Sequence, residues 1–144
     1  MTNTEKKAWL RRYRQALDNE RRLRNAIRAA RSRAEATTQA LRPAPGGSGG
    51  QDKVAAGVEL LDSYQRKLAD QLAESERLRA EIEQAIDALP SADLRLVMRA
   101  RYIDGRSLKQ IADQKRISER WARELHERAL KKIKTVPNSS ALQW

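Results

Sequence analysis

The residues whose types and spacing could do chemistry lie between positions 107 and 124, and the chemistry they suit is recognition of a polyanion. Arg120 and Arg123 stand three apart, so on a helix they share one face. The major groove of B-DNA admits one helix, and an arginine on it can bond bidentately to guanine, at about 1–3 kcal/mol of discrimination. Ser118, Glu119 and Glu124 accompany these arginines at the start of the same helix, where long polar side chains reach base edges. Ser107, Lys109, Lys115 and Arg116 surround that start, where phosphates would lie, and they would fix the pose rather than read sequence. A small helical bundle with a solvated basic face is the plainer account of the same spacing.

Other chemistry finds no residues to carry it. The absence of Cys removes disulfides, thiolate zinc sites and cysteine nucleophiles together. His126 is the single histidine, so a histidine metal cage is not expected, and it reads as a helix-flank residue. The carboxylates of 70–87 lie on a highly charged helix with no pocket around them. The glycine run at 46–50 lacks the Lys-Ser/Thr ending and the preceding strand of a phosphate loop. The expectation is no catalytic residue, no metal, no cofactor and no enzyme.

Three short helices must position the polar residues. Ser91 opens the first, with Leu94, Val97, Met98 and Ile103 at helical spacing and Asp104-Gly105 to stop it. Ser107 opens the second, with Gln110 in capping-box spacing and Leu108, Ile111 and Ala112 facing inward. Ser118 opens the third after the Lys115-Arg116-Ile117 turn, and Ala122, Leu125, Ala129 and Ile133 make its buried stripe. Trp121 either packs beside Leu125, which is the expectation, or lies against a sugar–phosphate. A short helix, a tight turn and a longer helix with a polar N-terminal face make a helix-turn-helix.

Upstream, a heptad runs through Trp9, Tyr13, Ala16, Glu20, Leu23, Ile27, Ala30, Ala34, Thr37 and Leu41. It resumes at Val54, Val58, Leu61, Gln65, Leu68, Leu72, Ser75, Arg79, Ile82, Ile86 and Leu89. Between the two lies Pro43-Ala44-Pro45-Gly46-Gly47-Ser48-Gly49-Gly50, which reads as a flexible loop. Thr2 with Glu5 suits a capping box, and Asp52 suits an N-cap. Two helices of about 37 residues, each roughly 55 Å long, should fold back as an antiparallel hairpin. Placing Leu41 beside Val54 brings Glu20 next to Arg79, so a contact between those two is expected. The organisation predicted is an all-α chain: an antiparallel coiled-coil hairpin at 1–89 with its loop at 43–51, a helix-turn-helix module at 90–136, and a tail at 137–144.

Lys and Arg number 30 against 19 Asp and Glu, a net charge of +11, which favours a polyanionic partner. The excess is uneven: +8 over 1–45, −4 over 46–88 and +7 over 89–144. Arg11, Arg12, Arg14, Arg21, Arg22, Arg24, Arg28, Arg31 and Arg33 crowd the first helix, as a solvated outer face or as a grip on DNA or RNA phosphates. Trp9 and Tyr13 read as seam residues rather than stacking platforms. No apolar run approaches the roughly 20 residues that span a bilayer, and the N-terminus has no signal-like stretch. A location in the cytoplasm of a bacterial host is expected.

Leu89-Pro90, Arg99-x-x-Tyr102, Ser107-Leu108-x-x-Ile111-Ala112 and Ile117-Ser118-x-x-x-Ala122-Arg123-x-Leu125-x-x-Arg128-Ala129-Leu130-Lys131-Lys132-Ile133 resemble region 4 of sigma factors. In that family the module reads the promoter −35 element, and nothing here resembles the region that opens promoter DNA. The whole layout is similar to small phage-encoded late-gene regulators of the autolysin-regulator (ArpU) type. The resemblance implies a promoter-binding transcription regulator, phage or prophage encoded, with double-stranded DNA as partner. The hairpin would serve homodimerisation or contact with RNA polymerase. A small terminase-like packaging protein and an RNA-binding antiterminator using the Arg-rich helix stay open beside it. Family recognition helices often begin Ser-Arg-Glu-Arg, whereas Ser118-Glu119-Arg120 reverses the charge pair and implies a different target. Arg116 stands where the family often has glycine, and a left-handed conformation there would cost about 1–2 kcal/mol.

Overall fold

Side-chain caps set most of the helix starts. The computed structural model describes residues 1–40 and 49–135, in the order α1 (Asn3–Ala40), α2 (Gly49–Asp87), α3 (Ala92–Tyr102), α4 (Leu108–Lys115) and α5 (Glu119–Lys132). No strand occurs among the described residues, so the chain there is all-helical. Thr2 and Glu5 form the expected capping box, at 3.1 and 3.2 Å. Ser107 and Gln110 form another, at 3.1 and 2.9 Å. Ser91 occupies the N-cap of α3 but makes no side-chain cap bond. The expected start of the second long helix at Asp52 is also corrected. α2 begins at Gly49, inside the expected loop, and Asp52 lies in its first turn, where a carboxylate complements the free N–H groups. The rest of that loop and the tail at 137–144 lie outside the described residues.

Contacts divide the described chain into two compact units, one of them non-contiguous. The first takes residues 1–16 and 75–135. In it α5 packs against both α3 and α4. Its core holds Trp9, Leu10, Tyr13, Leu78, Ile82, Ile86, Leu94, Val97, Met98, Ile111, Leu125 and Leu130. Leu10 sits off the heptad seam yet is fully buried, because the first turns of α1 are packed with the C-terminal helices. Polar ties accompany that packing. Lys6 donates to the Leu130 carbonyl at 2.7 Å, Arg14 to the Ile103 carbonyl at 3.2 Å, and Arg12 pairs with Glu81 at 3.0 Å. Arg14 also lies against Gly105, whose φ of +74° ends α3 as the Asp104-Gly105 pair requires; any side chain there would strike the guanidinium.

The second unit takes residues 17–74 and is the outer part of the helical hairpin. Ile27 shares a cleft with Leu68 and Leu72, and Ala34 another with Val54 and Val58, which is the expected register. Glu20 pairs with Arg24 at 3.7 Å and Arg79 donates to Glu83 at 3.0 Å, each taking the partner four residues along its own helix. Glu20 is buried, and its Oε2 has no hydrogen-bond partner. An unsatisfied buried acceptor costs about 1–3 kcal/mol. Glu20→Leu is therefore expected to raise stability by about 1–2 kcal/mol in urea unfolding.

His126 is not the helix-flank residue expected. It is 5% exposed, its ring stacks on Tyr102 with centroids 5.7 Å apart, and its Nε2 lies 2.7 Å from the Tyr102 hydroxyl. Burial lowers its pKa to about 4; Lys7, Arg101 and Arg11 push the same way, and Glu127 opposes them. The unfolded chain, with the usual value near 6.5, binds this proton more readily. The neutral imidazole thus contributes stability above pH 6.5 that is lost as pH falls toward 4, on the order of 3 kcal/mol. Urea unfolding across that window should fall less steeply in His126→Gln than in the parent chain.

Candidate nucleic-acid interface

α5 has two faces of opposite character. Ala122, Leu125, His126, Ala129 and Leu130 are buried, so the helix is fixed with its remaining face outward. That face carries Glu119, Arg120, Arg123 and Glu124, all exposed. The Ser118 hydroxyl accepts from the Trp121 N–H at 3.0 Å and starts the helix. Ser107, Lys109, Lys115, Arg116 and Ser118 are exposed as well, on α4 and in the turns that bound it. The expected residues thus fall on two consecutive helices and the turn between them, open to solvent.

In the free chain the arginines of α5 are held by carboxylates. Arg120 Nε lies 3.7 Å from Glu124, and Arg123 donates to Glu119 at 3.5 Å. The arginine side chains remain 88% and 62% exposed. Such pairs in water are worth about 0–1 kcal/mol, so they yield readily to a phosphate or a base edge. Before α4, Arg106 hydrogen-bonds Gln114 and its carbonyl accepts from Arg101 at 3.2 Å, which anchors the approach to the Ser107 cap.

Two basic residues beyond those expected share this face, with Trp121 beside them. Arg128 and Lys131 line the same shallow concavity as Arg120, Arg123, Glu124 and Glu127. Trp121 is 36% exposed, and the Arg128 guanidinium lies 5.0 Å from its ring centroid. The seven-residue spacing of Trp121 and Arg128 is the signal that could have found the pair, since two helical turns bring them to one side.

The turn before α5 has its own geometry. Arg116 adopts φ 54°, ψ 43°, the left-handed conformation. The Ile117 N–H reaches the Ala112 carbonyl at 3.0 Å and the Arg116 N–H the Asp113 carbonyl at 3.4 Å, the two bonds of a Schellman ending. The family described as Sigma-70, region 4 matches residues 85–135. That segment is a sigma region 4-like helix-turn-helix. The match begins near the end of α2 and takes in α3, α4 and α5, leaving residues 1–84 outside it. Neither a curated protein nor a solved structure matches the chain. Among the described residues, no group of three or more His, Cys, Asp or Glu could hold a metal ion. No described helix is long and apolar enough to cross a membrane.

Within the sigma region 4-like module, Arg116 is the one non-glycine residue with positive φ among the described residues. A side chain there costs about 1–2 kcal/mol. Arg116→Gly should therefore raise the melting temperature, with a gain of about 1 kcal/mol in urea. The same change should make duplex affinity less salt-dependent if the guanidinium meets a phosphate, by a slope change of about one.

Proposed function

We propose that this chain is a sequence-specific DNA-binding transcription regulator that acts at promoters through α4 and α5. The observation that carries the reading is the polar face of α5: Arg120 and Arg123 stand outward together on a helix whose other face is buried, inside a segment that matches sigma region 4. In this reading Arg120 and Arg123 enter the major groove with Glu119 and Glu124. Ser107, Lys109, Lys115, Arg116 and Ser118 hold phosphates around them. The reversed charge order at Glu119-Arg120 gives the module a target other than the usual −35 element. The similarity of layout to late-gene regulators makes it a phage or prophage product that works in the cytoplasm of its bacterial host. The hairpin acts as a coiled coil for homodimerisation, with RNA polymerase as a further partner of the module.

Selection of bound fragments from a random duplex pool supplies the target, and substitutions then test the face. Arg120→Ala and Arg123→Ala should each weaken binding to the selected site by about 5- to 150-fold and relax selectivity at one position. Lys115→Ala should weaken all duplexes alike and reduce the salt slope by about one. Affinity and selectivity unchanged in both arginine variants would overturn the reading.

A further inference from the structure

The outer part of the hairpin leaves its own seam open. Val54 (36% exposed), Val58 (60%) and Leu72 (38%) occupy seam positions of α2, and Leu60 (43%) adds to the uncovered apolar surface. On one side of this unit a cleft of about 460 Å³ has a floor of Ile27, Leu68, Ala69 and Leu72. Arg24, Arg28 and Arg31 form its α1 wall. Arg28 and Arg31 have no acidic partner among the described residues, and Arg24 has only the 3.7 Å contact to Glu20. A two-helix segment of this length buries too little to stand alone, and an apolar floor beside unpaired cations asks for a helix with apolar and acidic side chains.

The chain itself contains such a helix. Within this unit α1 carries +3 over residues 17–40, and α2 carries −2 over residues 49–74. Glu59 and Asp62 of α2 stand exposed, and so do Val58 and Leu72. We propose that the cleft is a self-association surface, which a second copy of this chain fills with its own α2. A two-fold arrangement lets each α1 lie along the other copy's α2, so both contacts join opposite charges and all four helices share one apolar interior. Pairing α1 with α1 would set two basic helices together and is disfavoured. The proposal rests on the hairpin being a dimerisation element. It specifies the face, the occupant and the charge pairing.

Sedimentation velocity of the full chain in micromolar solution is the test. The parent chain should be a dimer. Leu72→Arg, which adds a cation to the floor at an exposed position, should raise the dimer dissociation constant by at least about tenfold. The double variant Arg28→Glu/Arg31→Glu should do the same, and so should Glu59→Lys/Asp62→Lys. Mixing those two double variants should restore a dimer containing one of each. A monomeric parent chain overturns the proposal, as does a dimer indifferent to all three variants or a mixture that fails to re-pair. A monomer in which Arg28→Glu/Arg31→Glu lowers affinity for duplex DNA or hairpin RNA also overturns it, and assigns the cleft to nucleic acid. A monomer in which Leu72→Arg lowers affinity for RNA polymerase assigns it to that protein. The selected-site affinity of Arg120→Ala is read separately, so failure of dimerisation and failure of DNA recognition remain distinct.

Discussion

Everything at the candidate interface depends on how the apolar stripe of α5 is used up. Ala122, Ala129 and Leu130 are wholly inaccessible, and the two alanines let the helix come close to α3 and α4. A rotation by one residue, about 100°, would bring Arg123 or Glu119 into that contact, at the cost of an unpaired charge in the core. The hydrogen bond between Tyr102 and His126 adds a polar key to the apolar fit, since a rotated or shifted α5 would leave both groups without a partner. Orientation of the arginine face is therefore an outcome of packing on the opposite side of the helix. The basic surface needs no interaction of its own to hold it in place.

What was legible in the sequence is what short-range physics decides. The capping boxes at Thr2 and Ser107, the stop at Gly105 and the inward stripe of α5 all follow from neighbours within a turn or two. The hairpin register at Ile27 and Leu68 was legible because a heptad repeats one constraint many times. The readings that failed needed distant partners. Nothing local marks Leu10 as buried, since its cover comes from residues far along the chain. His126 looked like a flank residue because its partner, Tyr102, lies on another helix. At the interface, the exposed positions of Arg120 and Arg123 followed from periodicity, and the seven-residue spacing of Trp121 and Arg128 held the same signal for that pair.

Several arginines of this highly basic chain are paired within their own helix. Arg66 with Asp62, Arg77 with Glu81, Arg120 with Glu124 and Arg123 with Glu119 are all pairs four residues apart. Each is weak in water, yet together they lower the field that a bare row of arginines would project. In the proposed complex, an anion that meets Arg120 or Arg123 exchanges an internal partner for an external one. Binding to an arbitrary polyanion is correspondingly less favourable than the arginine count suggests. Arg28 and Arg31 have no such partner among the described residues, and they line a cleft with Leu68 and Leu72.

The non-contiguous first unit has a consequence for how the molecule is made. The packing partners of residues 1–16 in that unit lie in 75–135, across an interval of nearly sixty residues that belong to the other unit. Trp9 and Leu10 therefore stay uncovered until residues from 75 onward reach them. Closing so long a loop carries an entropic cost, so this unit gathers its core more slowly than helices that pack on neighbours in sequence.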